Sequence, residues 1–174
     1  DDQGRLSDWI EIINPTNERV SLQDWGLSDT DTNPFKWVFP YRVLAPGERI
    51  VVFASNQDRT DPSQSLHTNF RLRASGEPLL LTANDGRLID RVRPVSLPPD
   101  ISWGRTEANT ATPISGFFLV PTPGEPNTEA IYESLDALAP TTVRINEIAM
   151  AGAQGLVDRD GHANDWIEIF NPGT

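Results

Sequence analysis

Short apolar runs alternate with turn formers along the whole chain. Ile10–Asn14, Trp25–Ser28, Phe35–Phe39, Arg49–Ser55, Asn69–Leu72, Pro78–Thr82, Arg87–Arg93 and Phe117–Val120 are rich in β-branched and aromatic residues. Asn-Pro, Pro-Gly, Ser-Gly and Asp-Gly pairs separate them. Short runs bounded by such breakers read as strands. Asn84-Asp85-Gly86, between two of them, is a hairpin signal. The one helical candidate is Glu129–Leu138, bounded by Pro126 and Pro140. Fifteen Pro and 12 Gly leave little room for more helix. The pattern predicts an all-β protein, a sandwich of two mostly antiparallel sheets.

An internal repeat overlies this pattern. Asp1-Asp2-Gln3-Gly4 leads through Asp8-Trp9-Ile10-Glu11-Ile12 to Asn14-Pro15. Asp158-Arg159-Asp160-Gly161 leads through Asp165-Trp166-Ile167-Glu168-Ile169 to Asn171-Pro172 at a constant offset, without a gap. A period this long means tandem domains, since solenoid units span about 20–50 residues. The second copy is preceded by the apolar run Val143–Met150, and the first has no counterpart of it. The expected organisation is a sandwich over 1–127 that lacks its first strand, a link over 128–142, and the first two strands of a second repeat over 143–174. A segment as short as the last cannot make a stable core alone.

Composition narrows the partners. The chain has 174 residues and a net charge of -11. That charge argues against nucleic acid, which needs a basic face, and against an anionic membrane surface. It admits cations, basic proteins and neutral ligands. No run approaches the length of a membrane span, so no membrane insertion is expected. Cysteine is absent, which removes disulfides, thiol nucleophiles and Cys-ligated metals.

The ordered set of motifs resembles the lamin tail domain family in its bacterial form. Ile145-Asn146-Glu147-Ile148, Asp8–Ile12 with Asn14-Pro15, and Trp25-Gly26-Leu27-Ser28-Asp29 match its opening strands. Lys36-Trp37, Pro46-Gly47 before Val51–Ser55, Leu66–Phe70, Trp103-Gly104-Arg105 and Pro121-Thr122-Pro123-Gly124 with Asn127 continue the match. The resemblance covers nearly all of 1–127 and all of 143–174. It implies an immunoglobulin-like sandwich and brings no catalytic residues with it. It also implies a secreted or surface bacterial protein, extracellular in location, in which such modules adjoin hydrolase or adhesive domains. The expected function is therefore a non-catalytic interaction, adhesion or spacer module with a protein or cell-surface partner. The alternative is a calcium- or carbohydrate-binding accessory domain attached to a hydrolase.

Candidate chemistry is sparse. Asp158, Asp160, Asn164 and Asp165, with Glu168 nearby, put several oxygens in one turn-rich segment, a pattern that suits Ca²⁺. The spacing is not that of an EF-hand, and Asp residues that cap turns explain it equally well. Gln3 replaces Asp160 in the first copy, which weakens a site there. Glu11, Glu147 and Glu168 could pair for glycosidic acid–base work, but their recurrence reads as structural. His67 and His162 each stand alone, without a second metal-spaced His. His67 reads as a turn residue bonded to neighbouring backbone. Ser102-Trp103-Gly104 lacks the flanking glycine of a nucleophile turn. Trp9, Trp25 and Trp37 read as core, and Trp103 as the best candidate for an exposed aromatic.

A sandwich without its first strand would leave one neighbour's backbone edge unpaired. Val143–Ala149 has the right chemistry to fill that gap, within the chain or from another molecule. The second route predicts a strand-swapped homodimer.

Overall fold

The computed structural model describes residues 1–106, 113–128, 130–138, 144–150 and 157–171. Among the described residues, thirteen strands are numbered in chain order. They are β1 (Asp8–Ile13), β2 (Val20–Ser21), β3 (Gly26–Ser28), β4 (Trp37–Val38), β5 (Val43–Leu44), β6 (Arg49–Ala54) and β7 (Leu66–His67). There follow β8 (Leu79–Thr82), β9 (Leu88–Val92), β10 (Ser102–Arg105), β11 (Ser115–Phe118), β12 (Arg144–Ala149) and β13 (Trp166–Phe170). A four-residue helix, α1 (Leu135–Leu138), precedes β12. The chain divides into two compact units, Asp1–Ile131 and Tyr132–Thr174, and the division falls inside the link expected at 128–142.

The first unit is the β-sandwich. One sheet has the order β1-β6-β7 and the other β4-β3-β8-β9, with the pairs β2-β5 and β10-β11 beside them. Apart from the parallel β6-β7 contact, neighbours run antiparallel. Strand alternation explains the layer between the sheets. On β6, Val52 and Ala54 are buried, and Ile50 joins them. Ile10 lies opposite Val52 and Ile12 opposite Ile50, so β1 adds two isoleucines to the same face. The other sheet supplies Leu27, Trp37, Leu79 and Leu81, and Leu22, Phe39, Leu44, Leu66 and Phe70 complete the cluster. Each large side chain removed from water there contributes about 1.5–3 kcal/mol. Trp37 and Phe39 meet edge to face at 4.7 Å.

Two motif residues have structural explanations. Asn14 is 3% exposed. Its amide nitrogen donates to the carbonyls of Glu18, Leu44 and Ala45, and its oxygen accepts from Thr16. The Asn-Pro pair therefore ties the end of β1 to the turn that follows β5. Gly26 lies between β4 and β8, and a Cβ there would fall 2.3 Å from the Pro34 carbonyl oxygen.

The hairpin at Asn84-Asp85-Gly86 forms as expected, with Gly86 at φ 86°. The strand expected at Asn69–Leu72 lies earlier, as β7. Thr68 Oγ1 donates to the Phe70 carbonyl at 2.7 Å, a local turn that competes with further ladder pairing.

The second unit contains the hairpin β12-β13. The expectation that 143–149 completes the first sheet within the chain is corrected here: among the described residues β12 pairs with β13. The two strands are close in sequence, so local pairing closes the shorter loop. A bulge between Ile145 and Glu147 shifts the register. Ile145 therefore faces Ile169 while Ile148 faces Ile167, and the four isoleucines share one side. All four are at least 65% exposed. Their equivalents on β1, Ile10 and Ile12, pack on the core of the first unit.

Candidate functional site

The densest polar cluster among the described residues centres on His67. Its imidazole is fully buried, and Phe53, its register partner on β6, lies against it at 5.1 Å. Four side chains surround the ring. Ser55 Oγ is 2.7 Å and Gln57 Nε2 3.0 Å from Nδ1. Asp2 Oδ1 is 3.2 Å and Arg59 Nη2 2.5 Å from Nε2. Gln57 Nε2 and Arg59 Nη2 can only donate, so each ring nitrogen has a donor beside it, and Asp2 is the one neighbour that can only accept. Arg59 and His67 exchange backbone hydrogen bonds, which locks the guanidinium beside the ring. The second Asp2 oxygen accepts from Arg59 at 2.5 Å.

Electrostatics keep this histidine neutral. Burial lowers its pKa most; the Asp2 bond opposes that, and the Arg59 charge lowers it further. Burial pushes the Asp2 carboxyl up, but bonds to Arg59 and His67 more than reverse this and leave it below the usual range. The reading of His67 as a turn residue bonded to backbone is corrected. It joins three segments through side chains, because Asp2 and Arg59 converge on it from distant positions.

Asp1, Asp2 and His67 bring one ligand atom each within 4.8 Å of one another. The positive charge beside that group is already supplied by Arg59, whose Nη2 contacts both Asp2 and His67. The order Ser55–His67–Asp2 also has the sequence of contacts of a hydrolase triad. Its geometry opposes base catalysis. Ser55 is 8% exposed and shares Nδ1 with Gln57, and a proton taken there would create an imidazolium against a guanidinium.

The acidic loop of the second copy is arranged differently from a cation cage. Asp158 Oδ1 accepts the N–H groups of Asp160 and His162, each at 2.9 Å. Its Oδ2 accepts from Asn164 Nδ2 at 2.6 Å, so Asn164 turns its nitrogen, not its oxygen, toward Asp158. Asp160 and Asp165 are exposed. The first copy folds its loop by the same plan. Asp1 Oδ1 accepts from the N–H groups of Gln3 and Arg5, and Asp1 Oδ2 from Ser7. Gly4 and Gly161, both at positive φ, close the equivalent turns onto the carbonyls of Asp1 and Asp158.

Glu11 accepts the Gly124 N–H at 2.6 Å, and Glu168 accepts from the Asn146 amide. Trp37 is buried, whereas Trp9, Trp25, Trp103 and Trp166 are half-buried. Trp103, the best candidate for an exposed aromatic although core or loop anchoring is the favoured reading, sits half-buried in β10 opposite Phe117. A cleft of about 240 Å³ lined by Arg5, Ser7, Asp8, Ser55, Gln57 and Arg71 lies next to the His67 cluster.

The family profile described as Lamin Tail Domain matches residues 1–96, more than half of the chain. The chain belongs to the lamin tail domain family. No curated protein was found to match the sequence. The lamin tail domain is an immunoglobulin-like sandwich and generally a non-catalytic module, as the nearly all-β architecture here agrees. Within this lamin tail domain, the matched residues contain the whole His67 cluster, including Asp2, Ser55 and Arg59.

Proposed function

We propose that the chain is a non-catalytic interaction, adhesion or spacer module of a larger secreted or surface bacterial protein, with a protein or cell-surface partner. The observation that carries this reading is the use of the His67 cluster. Its hydroxyl, imidazole and charged groups are bonded to one another and hold three segments together.

A tandem arrangement belongs to the same reading. Residues 143–174 are proposed as the opening of a second lamin tail copy. The shared Asp turn, the shared Asp-Trp-Ile-Glu-Ile strand and the exposed isoleucine face of β12-β13 support it. A two-stranded hairpin is at best marginal alone, and an apolar face like this one is covered in the complete fold.

The test is a paired assay. The chain is titrated calorimetrically with Ca²⁺ and screened against fluorogenic ester and glycoside substrates. The module reading expects neither heat nor turnover. Turnover abolished by Ser55→Ala would overturn it in favour of a hydrolase. Ca²⁺ heat abolished by Asp158→Asn would favour the calcium-binding accessory domain.

A further inference from the structure

β1 and β13 are near-duplicates within one chain. Both follow Asp-Trp-Ile-Glu-Ile, at 8–12 and 165–169, and differ next at Ile13 against Phe170. The β6 edge holds β1 through the pairs Ile10–Val52, Glu11–Val51 and Ile12–Ile50. A β13 strand from another copy would place the same three side chains in those positions. Packing and ladder hydrogen bonds therefore cannot distinguish the two strands, and exchange of identical elements is a hazard of tandem proteins.

The preceding loops do differ where they meet the rest of the domain. They share one fold, since Asp1 and Asp158 accept hydrogen bonds from equivalent positions, two and four residues on. The second residue of the turn is thus presented alike in both. It is Asp2 in the first copy and Arg159 in the second. Asp2 docks on Arg59 at 2.5 Å and on the buried His67 at 3.2 Å. Arg59 is held in place from the other side by the Ser65 carbonyl at 2.8 Å and by its backbone pairing with His67. Its side chain cannot swing away to admit a second cation without losing the Ser65 bond.

We propose that position 2 of the turn decides which strand docks on β6. Asp2 admits β1, and Arg159 bars the β13 of another copy by setting a guanidinium against Arg59. The device gives specificity through a repulsive element placed beside an otherwise identical surface. Its partner is chemically defined: a strand Asp-Trp-Ile-Glu-Ile preceded by a turn with an acidic second residue.

Disulfide trapping in the full chain tests this, because the sequence contains no cysteine. Val51→Cys with Glu11→Cys reports native docking. Val51→Cys with Glu168→Cys reports docking of β13. Under mild oxidation with native loops, the first pair is expected to cross-link and the second to give only background. Adding Asp2→Arg and Arg159→Asp together should raise the 51–168 disulfide about tenfold or more, read by peptide mass mapping, and lower the 51–11 disulfide.

Arg159→Asp alone leaves every contact of the first unit in place and should also raise the 51–168 yield. Melting curves show that each variant is folded. Equal 51–168 yields with and without Arg159→Asp would overturn the proposal. So would a high 51–168 yield with native loops.

Discussion

Asp2 Oδ2 stands 2.5 Å from Nη2 of Arg59, and this contact ties the first loop of the chain to the segment between β6 and β7. The other Asp2 oxygen stands 3.2 Å from Nε2 of His67. The first loop and the strand region around the buried His67 thus share one arrangement of charge, and its stability responds to pH.

Acid should act on the first unit in two stages. Burial, partly opposed by Asp2, places the folded pKa of His67 below its unfolded value of about 6.5. The unfolded chain binds that proton more readily, so the stabilisation is complete above about pH 6.5 and is lost as pH falls below it. Burial raises the Asp2 and Asp90 carboxyls, but their arginine partners, with His67 at Asp2, more than reverse it and leave both below the usual range. Their stabilisation is present above about pH 3.9 and is lost as pH falls through the folded values. Melting temperature measured from pH 8 to 3 should fall first below about 6.5 and more steeply below about 4. His67→Gln should flatten the upper stage and spare the lower. A wild-type melting temperature constant between pH 7 and 5 would contradict this account.

Removing the ring itself should cost more than any one of its bonds. His67→Ala deletes a fully buried side chain and takes one hydrogen-bond partner from each of Ser55, Gln57 and Asp2. The expected loss is about 2–4 kcal/mol. Urea unfolding followed by tryptophan fluorescence measures it. Ser55→Ala, which removes one of two hydrogen-bond partners of Nδ1, should cost about 1 kcal/mol.

Asn14→Ala should destabilise the first unit by about 1–3 kcal/mol. The amide satisfies the Glu18, Leu44 and Ala45 carbonyls at once, and alanine offers them nothing. Asn14→Asp should be comparably damaging, because a carboxylate would face the same three carbonyls. An unfolding midpoint unchanged in both variants would show that water replaces the amide.

Gly26→Ala should cost about 1–3 kcal/mol or more, although alanine is the smallest change available. The added carbon would meet the Pro34 carbonyl oxygen and Phe35 at less than 3 Å, and that backbone is held by the β3-β4 pairing. Gly86→Ala, where nothing lies within 4 Å, tests positive φ alone and should lose only about 1 kcal/mol.

Local pattern was enough to reveal much of this protein. Strand-length apolar runs bounded by breakers showed β1, β6, β8, β9 and the turn at Gly86, because side-chain alternation and turn chemistry are written within a few residues. The two-residue strands β2 and β5 escaped, since they are too short for any periodicity. β7 was displaced because a Thr68 hydroxyl redirects the backbone. The repeat and the family were legible for the same reason as the strands, as both are properties of residue order.

The His67 cluster was not legible. Asp2, Ser55, Arg59 and His67 follow no spacing rule, and each alone looked like an ordinary loop or turn residue. The acidic loop showed the converse: four promising oxygen-bearing residues lie close in sequence, yet Asp158 uses its oxygens to fold the turn. Residue order alone determined the strands, the duplicated motif and the family. The tertiary structure decided which polar groups meet, because a buried imidazole needs hydrogen-bond partners and folding brings Asp2 to it from the far end of the domain.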